Sequence, residues 1–220
     1  MVRLYGRAGR LTAQNGGFRP GQGLLDTLKA SAPARVVVLS SKAQYMTYEG
    51  GVKSIWTEHF RDAINNPEEY NPWLHYGQSK LCNALMSAEL ARRLQGTKVL
   101  VNACHPGWVD SALFRHVPDQ LYLPGILVSL GNAMLALPTA AGALTPLYLA
   151  TAPELEAEGI SGQYFEPIAV VKSPSANAED AALAKRLWTL SERIIKEVVE
   201  PQVRQPRFRG SDSVLGLRGR

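Results

Sequence analysis

Two short aliphatic runs with a long helical stretch between them limit what this chain can fold into. Residues 35–39 and 98–104 are apolar and rich in β-branched side chains, without the alternation of a half-exposed strand. Such runs suit strands buried on both faces, as in a parallel sheet. Between them, residues 74–95 carry Leu81, Leu85, Leu90 and Leu94 in one apolar stripe, and Gly96 supplies a stop. Strand, helix and strand in that order make a parallel pair with the helix as a right-handed crossover on one face. A third short strand is expected at 163–165, after the turn residues Gly159, Ile160, Ser161 and Gly162. Leu183, Leu187, Leu190 and Ile194 place an amphipathic helix at 178–199, and the last turns of another are expected at 24–30, closed by Pro33. The fold class is therefore α/β, with about three parallel strands flanked by helices.

The polar residues that matter sit at the ends of these elements. Ser40 and Ser41 follow the first run, at the carboxyl end of a strand, where α/β sheets place their ligands. Tyr76 and Lys80 are four apart, so a helix stacks them on one face, one turn apart. A neighbouring ammonium stabilises phenolate and draws a phenol of pKa ~10 down, which makes Tyr76 a usable acid or base. A Tyr and a Lys at that spacing occur in many helices whose lysine is an ordinary surface charge. The second run ends in His105, Pro106 and Gly107; proline fixes φ and glycine lets the backbone approach a ligand closely.

Val36, Val37, Val38, Leu39, Ser40 and Ser41, then Tyr76 and Lys80, then Val101, Asn102, Ala103, Cys104, His105, Pro106 and Gly107 together resemble the short-chain dehydrogenase/reductases. The wording Tyr76, Gly77, Gln78, Ser79, Lys80, Leu81, Cys82, Asn83, followed by Glu89, Leu90, Ala91, Arg92, Arg93, Leu94, is most similar to the retinol-dehydrogenase-like branch. The resemblance covers about residues 24–199. It implies a Rossmann-like parallel sheet, NAD or NADP as cofactor, and an apolar substrate carrying an alcohol/carbonyl pair. It implies that Tyr76 exchanges the proton, that Lys80 lowers the Tyr76 pKa and holds the nicotinamide ribose, and that Ser41 holds the substrate oxygen. Pro106, Gly107, Val109 and Ser111 would line the nicotinamide with Tyr76 and Lys80; Ser111 stands where the pattern usually carries threonine.

A complete member of that family begins with a strand, a Gly-rich phosphate turn, a cofactor-selecting position, an Asn-Asn-Ala-Gly strand end and a helix bearing a catalytic Asn. None of these has a counterpart here. The expected fold is therefore truncated on its N-terminal side, and weak cofactor binding with little or no activity is expected. The alternative is a non-catalytic remnant acting as a binding or dimerisation module, because the family's helix near Tyr76 commonly packs in a homodimer.

The remainder of the chain bounds the partners. Residues 1–23 read as a flexible basic leader; Pro20 interrupts the glycines at 16–23 and no strand precedes them, which argues against a phosphate loop. Residues 24–200 form the partial dehydrogenase domain and 201–220 a disordered basic tail. The net charge of +5 comes from those ends: 1–33 and 201–220 each carry five basic residues and one acidic, so the middle is net acidic and nucleic acid is discounted. Cys82 and Cys104 read as core residues in a reducing, cytoplasmic setting, and the four histidines have no metal-ligand spacing, so no metal is expected. Residues 121–153 contain no charge, yet Pro124, Gly131, Pro138, Gly142 and Pro146 interrupt them, which suits a greasy lid and peripheral membrane contact better than a span. Residues 42–75 form a long connection containing Tyr45, Tyr48, Trp56, Tyr70 and Trp73.

Overall fold

The computed structural model describes residues 25–53, 55, 67–109 and 136–199. Helix α1 (Leu25–Ala30) leads into β1 (Ala34–Leu39), and α2 (Pro72–Arg93) crosses over to β2 (Val99–Cys104). Helices α3 (Thr139–Thr151) and α4 (Pro153–Ala157) precede β3 (Tyr164–Glu166), and β4 (Val170–Val171) folds back on it. Helices α5 (Ala176–Glu179) and α6 (Ala181–Ile194) follow, and a π-helical turn extends α6 over Ile195–Val199.

The sheet order is β1-β2-β3-β4. β1 and β2 run parallel without a slip, from Ala34 opposite Val99 to Leu39 opposite Cys104. β3 is parallel to β2, with Ala103 opposite Tyr164, so the three parallel strands lie within a residue or two of their expected bounds. The antiparallel β4 was not expected, since a two-residue strand is too short to leave a period in the sequence. The architecture is the Rossmann-like α/β arrangement that the resemblance implies.

Helices cover both faces, which is why β2 shows no alternation. Val99 and Val101 pack against Leu90, Ala91 and Leu94 of α2 and Trp188 of α6. Leu100 and Cys104 point the other way, onto Leu149, Ala152, Leu155 and Phe165. The leucine stripe of α2 meets Leu183, Leu187 and Leu190 of α6, each such side chain contributing ~1.5–3 kcal/mol by burial.

The helix boundaries have local causes. Asn71 Oδ1 accepts from Trp73 N at 3.0 Å and Leu74 N at 3.1 Å, and Pro72 fills the first helical position, so α2 starts two residues ahead of expectation. The closing helix, expected as one piece, is two, because Asp180 breaks it and caps α6 through Ala182 N and Leu183 N. Of the uncharged stretch, the described portion from residue 136 contains α3. Among the described residues no helix is long and apolar enough to cross a membrane. The leader, the tail, Trp56 and Ser111 lie outside the described residues.

Candidate functional site

β1 delivers its serines to the opening of α2. Ser40 N donates to Cys104 O at 2.8 Å, carrying the ladder one residue past the strand. Ser41 then caps a 3-10 turn (Lys42–Tyr45), its Oγ accepting from Ala43 N at 3.2 Å. α2 lies directly on that turn at Gly77. A Cβ there would stand 1.7 Å from Met46 O and 2.6 Å from Ala43 O, so no other residue permits the approach. The consequence is that the side chains of Ser41 and Tyr76 hydrogen-bond. Lys80, one turn on, places Nζ 5.6 Å from the centroid of the Tyr76 ring.

Ser41, Tyr76 and Lys80 therefore converge, but their electrostatics differ from the sequence reading. Burial pushes the Tyr76 phenol above the ordinary tyrosine value, outweighing the Ser41 hydrogen bond that pulls it down. Burial likewise pushes the Lys80 ammonium below the ordinary lysine value. Desolvation dominates both groups and favours the neutral form of each. Tyr76 is held as a proton donor, and Lys80 makes no ion pair among the described residues.

The second strand end lies beside the first. His105 N donates to Phe165 O at 2.8 Å, and Gly107, at φ 96°, turns the backbone where a Cβ would meet Leu137 Cδ1 at 2.6 Å. Val109 bridges in parallel to Leu137 and packs so closely on Gly142 that a Cβ there would meet Val109 Cγ2 at 2.4 Å. Pro106, Gly107 and Val109 thus sit at the same carboxyl edge of the sheet as Ser41; the placement of Ser111 is outside the described residues. Burial lowers the His105 imidazole below the usual histidine value, against the pull of Glu166, which pairs with Lys42 at 3.1 Å. The mouth of the site is apolar and aromatic, with Tyr45, Met46 and Trp108 exposed.

The long connection closes onto the start of α2. Tyr48 hydrogen-bonds His75 Nδ1, Lys53 forms an ion pair with Glu69, and Lys53 N donates to Gln78 Oε1 at 2.7 Å. Sequence reasoning missed Gly77, although a glycine inside a helix costs ~1 kcal/mol against alanine and so signals a close approach. It also passed over Ser40 and Asn83, whose side chains fasten β1 to α2. Among the described residues no group of three or more His, Cys, Asp or Glu could hold a metal ion. The uncommitted Lys80 ammonium and the glycine-permitted turn at Gly107 fit the nicotinamide end of a dinucleotide.

The chain is 39% identical over 172 residues to retinol dehydrogenase 14 of Homo sapiens, covering 78% of this chain and 47% of that protein. It is 38% identical over 187 residues to the WW domain-containing oxidoreductase of Danio rerio, covering 81% and 41%. It is 37% identical over 182 residues to the chloroplastic short-chain dehydrogenase TIC 32 B of Brassica napus, covering 78% and 52%. The chain spans about half the length of the curated relatives it matches. No family model matches it.

Proposed function

Because the chain belongs to the short-chain dehydrogenase/reductase family and is similar to its retinol dehydrogenases, we propose that it carries the acid/base centre of an NAD(P)-dependent oxidoreductase acting on the alcohol/carbonyl pair of an apolar substrate. The observation that carries this reading is the Ser41–Tyr76 hydrogen bond with Lys80 over the same ring. Two hydroxyls that bond each other also bond a substrate oxygen placed between them. Tyr76, kept protonated by burial, gives its proton to a carbonyl oxygen, or takes one from an alcohol in the reverse direction. Ser41 holds that oxygen, and the Lys80 ammonium faces the ring and the cofactor's ribose. Bound nicotinamide supplies or accepts the hydride. Pro106, Gly107 and Val109 shape its berth, with Ser111 following them in sequence. Tyr45, Met46 and Trp108 favour an apolar substrate, and the uncharged stretch 121–153 favours peripheral contact with a membrane surface in the cytoplasm.

A second reading, a binding or homodimerising module without catalysis, is favoured by the position of β1 at the end of the sheet. Titration calorimetry of the folded chain with NAD(H) and NADP(H) separates the two. Each charge-assisted hydrogen bond missing at the adenine end costs ~1.5–3 kcal/mol. Micromolar affinity, with turnover of an apolar alcohol lost in Tyr76→Phe, supports the oxidoreductase. Affinity no tighter than millimolar, with no turnover, supports the module.

A further inference from the structure

Three contacts at the carboxyl end of β1 have no role in proton transfer, yet they lead to the residues that do. Ser40 is 2% exposed, and its Oγ donates to the carbonyl oxygen of Lys80 at 2.8 Å. The backbone N–H of the same residue donates to Cys104 O at 2.8 Å. Nearly one turn beyond Lys80, Asn83 Nδ2 donates to Leu39 O at 2.9 Å. Leu39 and Ser40 are thus fastened to α2 at positions 80 and 83, immediately before Ser41.

Aliphatic contacts between a strand and a helix permit sliding, whereas hydrogen bonds of this length do not. One residue along a helix is a rise of ~1.5 Å, enough to separate a pair of hydroxyls in hydrogen-bond contact. β1 has a strand neighbour on one side only among the described residues, so its ladder resists such a shift from that side alone. The carbonyl of Lys80 has a second lone pair beyond the one used by the helix, so Ser40 holds it without breaking α2.

We propose that Ser40 and Asn83 are positioning residues that set the height of the Ser41 turn on α2, and thereby hold Ser41 against Tyr76 while fixing Lys80 through its own backbone. This deepens the oxidoreductase reading and rests on it. The clamp consists of one buried hydroxyl and one amide, neither of which reaches the reacting atoms.

The test needs neither cofactor nor turnover. The eight tyrosines are labelled with ¹³C at Cζ, whose resonance follows the hydrogen bonding of each phenol at neutral pH, and Tyr76→Phe assigns the peak. Ser41→Ala sets the displacement that loss of the Ser41–Tyr76 bond produces. Ser40→Ala is expected to move the Tyr76 peak in the same direction by at least half as much, Asn83→Ala by less, and Ser40→Thr, which keeps the hydroxyl, to restore it. A peak left in place by Ser40→Ala and Asn83→Ala, whatever happens to the melting temperature, overturns the clamp alone. A peak left in place by Ser41→Ala overturns the catalytic pairing and the clamp with it. Should Ser40→Ala fail to fold, Asn83→Ala decides by the same criterion.

Discussion

β1 and β2 are both six residues long and pair in unbroken parallel register, yet their surroundings differ. β2 is buried at all six positions, while β1 is half-buried at five and exposed at Leu39. Both are covered by helices on their faces; what β1 lacks among the described residues is a second strand. An apolar run therefore reports that a strand is covered on both faces and says nothing about how many strands flank it. β2 holds its place by burial and two ladders. β1 holds its place by one ladder and by polar fastenings to α2 at its carboxyl end.

Register partners make that contrast measurable. Val36 lies opposite Val101, and both pack into the cluster under α2. Val101→Asp would bury an unpaired carboxylate at a fully enclosed position and is expected to cost at least ~4 kcal/mol, enough to unfold the domain. Val36→Asp should cost about half as much, since its carboxylate can reach water. Urea unfolding of both variants gives the two values, and equal costs would break the contrast. Next in size is Gly77→Ala. Its methyl would overlap Met46 O and force α2 off the turn that carries Ser41, at an expected ~3 kcal/mol. Circular dichroism melting gives the loss. A neutral result would mean that the end of β1 is not held by this close approach.

The strands, the crossover helix and the catalytic trio were legible because each leaves a period, a cap or a spacing in neighbouring residues. Tyr76 and Lys80 face one way by helical geometry alone, and Ser41 reaches them because parallel strands end at one edge. β4 was not legible, since Val170 and Val171 become a strand only by pairing back on β3. The break at Asp180 was hidden by a leucine register that runs to Ile194. The Tyr76 phenol was misjudged in direction, because the Lys80 spacing is written in the sequence and the depth of burial is not.

A smaller effect sharpens the contrast at the strand centres. Asn102 is the register partner of Val37, and it is buried where an apolar residue would be expected. Its Nδ2 donates to Ile160 O at 2.8 Å and its Oδ1 accepts from Gln163 N at 3.0 Å, fixing the loop that leads into β3. Asn102→Val makes β2 more hydrophobic, yet it is expected to destabilise by about 2 kcal/mol, because two backbone groups lose their partners. Stabilisation on chemical denaturation would show that burial alone holds β2.

The smallest expected effect concerns the titrating groups near the two strand ends, and it depends on pH. At the end of β2 the enclosed Cys104 thiol is pushed up to about 12, so it stays neutral and the strand end carries no charge. Near the end of β1 the buried Lys80 is lowered, so near neutral pH the fold bears the cost of desolvating an ammonium. The unfolded chain then binds the proton more tightly, and this group's contribution to stability rises as pH climbs from the folded value towards 10.5. Tyr76 works in the opposite sense: its raised phenol contributes stability below pH 10 that is lost as the pH rises through its folded value. Both comparisons therefore belong in a Tyr76→Phe background. In that background Lys80→Met should melt slightly higher at neutral pH, with the advantage shrinking towards pH 10.5. A lower melting temperature at neutral pH would mean that the ammonium's contact with the aromatic ring outweighs its desolvation.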